Sequence, residues 1–230
     1  MQPEKNKVEE NRTEKQAWQE TTGLLENHNY IFGPHWSFNF RNDPKRLAFV
    51  LSRYKFAAKM IGIRDHVLEL GCSDGIGASI IAEKADSYTG IDLDRAALDA
   101  AKANFPDSKY QFSYDDFLGK TYGSFDAIIS LDVIEHIIPE FEALYFETIM
   151  QNLSENGIIV IGTPNITASA YASKASQLGH VNLYSQERLV KELKNHFHQV
   201  FPFGMNDETM HTGFGAMAHY LICIACHKKN

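Results

Sequence analysis

Apolar and polar positions alternate along this chain in two registers, and the switches between them outline its elements. Residues 1–27 are polar and rich in Glu and Lys, with Ala17, Trp18, Leu24 and Leu25 as isolated anchors, which predicts a loosely docked helix. An aromatic segment follows from Tyr30 to Phe40, where Gly33-Pro34 is expected to block regular structure. Asp43-Pro44 then reads as an N-cap followed by proline at the first helical position. Leu47, Val50, Leu51, Tyr54, Ala58 and Ile61 recur at helical spacing up to Gly62.

Beyond Gly62, apolar runs of strand length fall at 66–70, 88–91, 110–112, 125–131 and 157–162, separated by helical patterns at 76–84, 95–104 and 139–153. Such alternation predicts a parallel sheet covered on both faces. The tail reads differently: a helix at 186–195, a strand at 199–203, a non-helical loop over 206–215 and a last strand at 218–226, an antiparallel hairpin at the sheet's edge. The expected fold is therefore α/β, with a seven-stranded, mostly parallel sheet, helices on both faces and an antiparallel C-terminal hairpin. Residues 1–43 form its N-terminal helical and aromatic cap, and residues 44–230 its single domain.

Composition agrees with one globular core: of 230 residues, 44% are hydrophobic and 22% charged, too apolar a mix for general disorder. A net charge of −7 repels phosphate backbones and anionic lipid, and no basic patch offsets it, so a nucleic-acid partner is not expected. No apolar run approaches a membrane span of roughly 18 residues. The opening MQPEKNKVEENRTEK lacks the apolar stretch of a signal peptide, and a cytoplasmic location is expected. Cys72, Cys223 and Cys226 cannot close a disulfide framework. Cys223 and Cys226 fall in one predicted strand, where residues three apart face opposite sides, so they are expected as ordinary buried thiols and not as a zinc or redox pair.

The first chemical signal is the junction of the first strand and helix, Glu69-Leu-Gly-Cys-Ser-Asp-Gly-Ile-Gly77. Gly71 and Gly75 allow a tight turn that brings a ligand against the backbone, and Asp92 closes the second strand, where a carboxylate can accept from both hydroxyls of a ribose. A dinucleotide is disfavoured, because Ser73 replaces the second glycine of G-x-G-x-x-G and Asp74 repels a pyrophosphate.

These residues resemble the class I S-adenosylmethionine-dependent methyltransferases, in Val67-Leu-Glu-Leu-Gly-Cys-x-x-Gly75, in Gly90-Ile-Asp92, in Phe125-Asp126 and in Asn156-Gly157. The likeness covers roughly residues 45–165. It implies S-adenosylmethionine as cofactor, S-adenosylhomocysteine as its product, and a small-molecule substrate. It places Gly71, Ser73 and Gly75 beside the methionine portion, Asp92 on the ribose and Leu93 against the adenine. Asp115, Asp116 and Phe117 fall at the adenine amino group, Asp116 in the better register, and Glu69, Cys72, Leu131 and Asp132 complete the set.

The second signal lies where the fourth strand ends, in Ser130-Leu-Asp-Val-Ile-Glu-His-Ile137. Glu135, His136 and the distant His180 are the candidate catalytic residues, at the sheet edge where open α/β folds bind ligands. Asp132-x-x-Glu135-His136 with His180 is similar to the metal-binding set of the small-RNA 3′-terminal ribose 2′-O-methyltransferases, with Asp in place of their first Glu. A comparable pattern occurs in ubiquinone-pathway O-methyltransferases. The resemblance implies either a magnesium or manganese ion on Asp132, Glu135, His136 and His180, or a metal-free site with His136 or His180 as base. Substrate candidates come from segments 28–42, 163–185 and 204–216: Tyr30, His35, Trp36, Asn165 and His211, with His28 joining the first three as a lid. The expected activity is methylation of a hydroxyl on a small polar, sugar-like or phenolic molecule. The rivals are metal-assisted methylation of a ribose hydroxyl on RNA or a nucleotide, and a non-catalytic cofactor-binding regulatory module.

Overall fold

The computed structural model describes residues 13–25, 29–62 and 65–229, in two compact units, residues 1–31 and residues 32–230. In the first unit, helix α1 (Glu14–Leu25) opens on a reciprocal cap: Gln16 N donates to Thr13 Oγ1 at 3.3 Å and Thr13 N to Gln16 Oε1 at 2.9 Å. No side chain of α1 is buried, in keeping with its polar pattern. His28 lies outside the described residues.

The second unit begins with α2 (Pro34–Asn42) and α3 (Lys45–Met60). Here the expected break at Gly33-Pro34 is corrected. Proline stands at the first helical position, where its missing N–H costs nothing, so it starts a helix. There follow β1 (His66–Leu70), α4 (Ala78–Ala82), β2 (Ser87–Asp92), α5 (Arg95–Asn104), β3 (Tyr110–Tyr114) and β4 (Phe125–Leu131). Then come α6 (Glu142–Asn152), β5 (Leu153–Pro164), α7 (Lys174–Gly179), α8 (Gln186–His196), β6 (Phe197–Asn206), β7 (Thr209–His211) and β8 (Tyr220–Lys228).

One sheet runs β3-β2-β1-β4-β5-β8-β6-β7, with the first five strands parallel and β8, β6 and β7 joined antiparallel. The count is eight strands instead of the expected seven. The added strand, β7, is three residues long; Asp207, at φ 49°, turns the chain so that Thr209–His211 pairs back onto β6. No helix among the described residues is long and apolar enough to cross a membrane.

The sheet is apolar on both faces, which is why its strands read as nearly continuous runs. Val67, Ala127, Ile129 and Ile222 face one core with Val50, Tyr54 and Ala57 of α3 and Leu98 of α5. Leu68, Ile128, Ile159 and Leu221 face the other, with Tyr145, Phe146 and Ile149 of α6 and Leu189 and Leu193 of α8. Cys223 is buried in this second core, while the Cys226 sulfur turns to Gln199 at 3.7 Å, so the two thiols do share a strand without sharing a site. Strand order reverses between β1 and β4, which opens a crevice beyond their carboxyl ends.

Candidate active site

At that crevice β1 delivers Glu69 and then the glycine turn. Gly71 and Gly75 have φ of 78° and 72°, and Ser73 joins them at 50°. A Cβ on Gly71 would stand 2.3 Å from Val133 Cγ2, so only glycine lets the turn pass beside the end of β4. Gly71 N and Cys72 N both donate to Ile91 O, at 2.8 and 3.2 Å, tying the turn to β2. Asp92 ends that strand with each carboxylate oxygen accepting one backbone N–H, Ser73 at 2.7 Å and Asp94 at 2.8 Å. Lone pairs remain on both oxygens for two further donors. Glu69 is fully buried and bridged by Tyr54, at 2.6 Å, and by Tyr88. Burial drives its pKa up to about 7 against the lowering effect of the two tyrosine hydrogen bonds. Its carboxyl therefore braces α3 and β2 behind the turn.

One strand over, β4 leads into Asp132, whose backbone is in the left-handed region at φ 58°. Its N–H donates to Gly162 O at 3.0 Å and to Tyr220 Oη at 3.2 Å. The next turn, Ile134–His136, carries Glu135 inward and His136 outward. Glu135 accepts at one oxygen from Thr163 Oγ1 at 3.0 Å; its other oxygen is buried and has no partner. Burial, reinforced by the charge of Asp132, holds the Glu135 carboxyl well above the usual carboxylate range. His136 Nδ1 lies 2.9 Å from Gly179 O, so the Nδ1–H tautomer is the one that bonds there, leaving the Nε2 lone pair outward. His180 meets it edge-on with ring centres 4.9 Å apart. Val181 N and Asn182 N donate to Glu135 O at 2.8 and 3.0 Å, so the segment that carries His180 is stapled to the segment that carries His136. Burial, and then the neighbouring His136, lower the His180 pKa from 6.5.

A family model described as a methyltransferase domain matches residues 40–196, which span β1 to α8 and both halves of this crevice. The chain belongs to the class I S-adenosylmethionine-dependent methyltransferases. A ubiquinone biosynthesis O-methyltransferase of Nitrosococcus oceani is 29% identical over 134 residues, 56% of this chain and 53% of the relative. The chain thus spans about half the length of the curated O-methyltransferases it matches. Among solved structures, a TehB-like S-adenosylmethionine-dependent methyltransferase of Corynebacterium glutamicum superposes with a TM-score of 0.63 at 18% identity, covering 85% of this chain and 100% of that one. The N-methyltransferase NodS of Bradyrhizobium japonicum, in complex with S-adenosylhomocysteine, gives 0.58 at 17% identity over 82% and 90% of the two chains. At these identities the structures share the fold.

The methyltransferase cofactor set is distributed unevenly. The glycine turn and Asp92 offer backbone and carboxylate to the crevice, and Leu93 beside them is 58% exposed. Cys72, Phe117 and Leu131 are buried side chains of the walls. The Asp115 carboxylate is taken by Lys120 and by Tyr122, the latter at 2.9 Å, whereas Asp116 is exposed and accepts, among the described residues, from Leu118 N at 3.3 Å. Asp116 is the acid of the two with capacity to spare.

Of the substrate candidates, two are spent on the interior. Trp36 is 8% exposed in the first core, and Asn165 is buried, donating to Gly215 O at 2.9 Å and Ala218 O at 2.8 Å. His35 lies 2.8 Å from Asn39 on the same helix. His211 accepts from Gly213 N at 3.1 Å, and its other ring nitrogen is buried without a partner. Tyr30 belongs to the first unit.

The four-residue metal set is not assembled as the resemblance implies. Among the described residues, the group whose ligating atoms lie within 4.8 Å of one another is Glu135, His136 and His180. Asp132 is absent from it, and its Oδ2 instead accepts from Arg53 Nη1 of α3 at 2.6 Å. Arg53 and Thr163 are the site residues that sequence reasoning missed. Arg53 carried a readable signal: it follows Val50 by three and precedes Ala57 by four, a cation on the apolar stripe of its helix.

Proposed function

We propose that this chain transfers the methyl group of S-adenosylmethionine to a hydroxyl of a small polar acceptor, sugar-like or phenolic, with the His136–His180 pair taking the hydroxyl proton. The observation that carries the reading is the outward His136, its Nδ1 held by Gly179 O beside His180, in the turn that follows β4, the strand paired with β1. Bound at the turn, the cofactor supplies a sulfonium-activated methyl carbon. The chain orients the acceptor and holds the proton. His136 Nε2 accepts it as the new oxygen–carbon bond forms and the carbon–sulfur bond breaks, and then returns it to water. General-base assistance of this kind contributes about 10²–10⁴-fold. Alignment for in-line displacement supplies much of the rest. The names of the curated O-methyltransferase relatives support oxygen as the acceptor atom.

The pH dependence follows with its sign. A protonated His180 beside His136 would oppose proton transfer to that ring, and burial, then the neighbouring His136, lower the His180 pKa from 6.5. We expect kcat/KM to fall on acidification below that value and to be level above about pH 7. A rate still climbing between roughly pH 8 and 9 would instead indicate a lysine base or prior ionisation of the acceptor.

A further inference from the structure

Arg53 of α3 stands beside Asp132, the one acid of the implied metal set that lies outside the Glu135, His136 and His180 group. Its side chain is 15% exposed, and Nη1 donates to Asp132 Oδ2 at 2.6 Å. The guanidinium lies 3.6 Å from the centre of the Tyr220 ring, whose hydroxyl oxygen accepts from the backbone N–H of the same Asp132. Tyr220 is itself buried, at the start of β8. Two contacts, one from α3 and one from β8, therefore converge on one acid, and the two side chains that make them stack on each other. Asp132 meets them with a left-handed backbone, a conformation uncommon for residues other than glycine and retained where surroundings over-determine it. The Nε of Arg53 is buried without a partner, so the guanidinium is held here at the expense of one of its own hydrogen bonds.

We infer that Arg53 is a positioning residue that withholds Asp132 from Glu135, His136 and His180, a built-in cation that keeps the cluster free of a divalent metal. A fixed positive charge repels a second cation at short range and holds one oxygen of the carboxylate that would have been a ligand. The three remaining donors are two imidazoles and one carboxyl with a single oxygen free of Thr163, leaner in oxygen than the several oxygen ligands magnesium or manganese favours. The inference rests on reading this cluster as the chemical centre, but metal binding reports on it whether or not methyl transfer is detected.

The test is titration of manganese alone into metal-stripped protein, read by the electron paramagnetic resonance signal of the free ion. The wild-type chain and R53K, which keeps a cation beside Asp132, are expected to bind weakly and alike. R53M, which keeps an unbranched apolar stem without the charged guanidinium, should bind about 10–100-fold more tightly, the scale on which groups around a metal site alter affinity. R53M/D132N should return to the wild-type level. The inference is overturned if R53M binds no better than wild type, or if the double variant keeps the gain. Should R53M fail to fold, D132N alone decides: unchanged manganese binding supports the inference, and loss of an existing wild-type site overturns it.

Discussion

His136→Ala should lower kcat for methyl transfer by about 10²–10⁴-fold while S-adenosylhomocysteine affinity stays within about threefold of wild type. The separation follows from geometry. The imidazole projects from the turn after β4, and its fixed nitrogen bonds Gly179 O, whereas the cofactor turn is tied to β2 through Ile91 O and Asp92. Removing the ring deletes a proton acceptor without touching those bonds. His136→Gln keeps a polar side chain but offers no basic nitrogen, so it should be almost as slow. His180→Ala should fall between Gln and wild type, because it removes the ring against which His136 packs and leaves the Gly179 bond in place. Steady-state kinetics paired with calorimetric titration of S-adenosylhomocysteine separates these effects; a parallel collapse of affinity and kcat would show that His136 is a structural group.

Gly77→Ala should destabilise the chain by roughly 2–6 kcal/mol, a large share of the ~5–15 kcal/mol typical of a domain. A Cβ at this position would sit 2.1 Å from two carbons of the buried Tyr54 ring and 2.4 Å from a third. Tyr54 cannot retreat freely, since it packs in the first core and its hydroxyl holds Glu69 at 2.6 Å. Displacing the ring adds overpacking, worth about 1–3 kcal/mol, to a buried carboxyl left with one tyrosine partner, worth about as much again. Urea unfolding of the variant measures the loss. An unfolding midpoint equal to wild type would mean that the helix start can shift aside, and that the Tyr54–Glu69–Tyr88 bridge is not a rigid support of the turn.

Much of the frame was legible because its two periods differ: strand runs such as 125–131 and helical stripes such as 95–104 cannot be exchanged without exposing apolar faces. The glycine turn was legible because Gly71 must tolerate both a positive φ and the close approach of Val133. Strand β7 was not, since three residues carry no period, and α2 was not, since Gly-Pro marks a helix start as readily as a break. The site was legible by residue type and illegible by pairing. The acids and histidines after β4 announce chemistry, but the capture of Asp132 depends on an arginine 79 positions away, which only the packing of α3 against β4 and β8 brings to it. Trp36 and Asn165 misled for a related reason. An aromatic ring or an amide near the crevice has the composition of a substrate contact, and burial diverts both to packing and loop bracing.

The most direct test of the account is transfer of a carbon-13 methyl group from labelled S-adenosylmethionine to a panel of sugars, phenols and other small hydroxylated molecules, with the product methyl assigned by nuclear magnetic resonance. A methoxy signal that requires the intact His136 side chain is the predicted result. Label found on nitrogen or carbon, or S-adenosylhomocysteine bound tightly with no label leaving the cofactor for any acceptor, would contradict it.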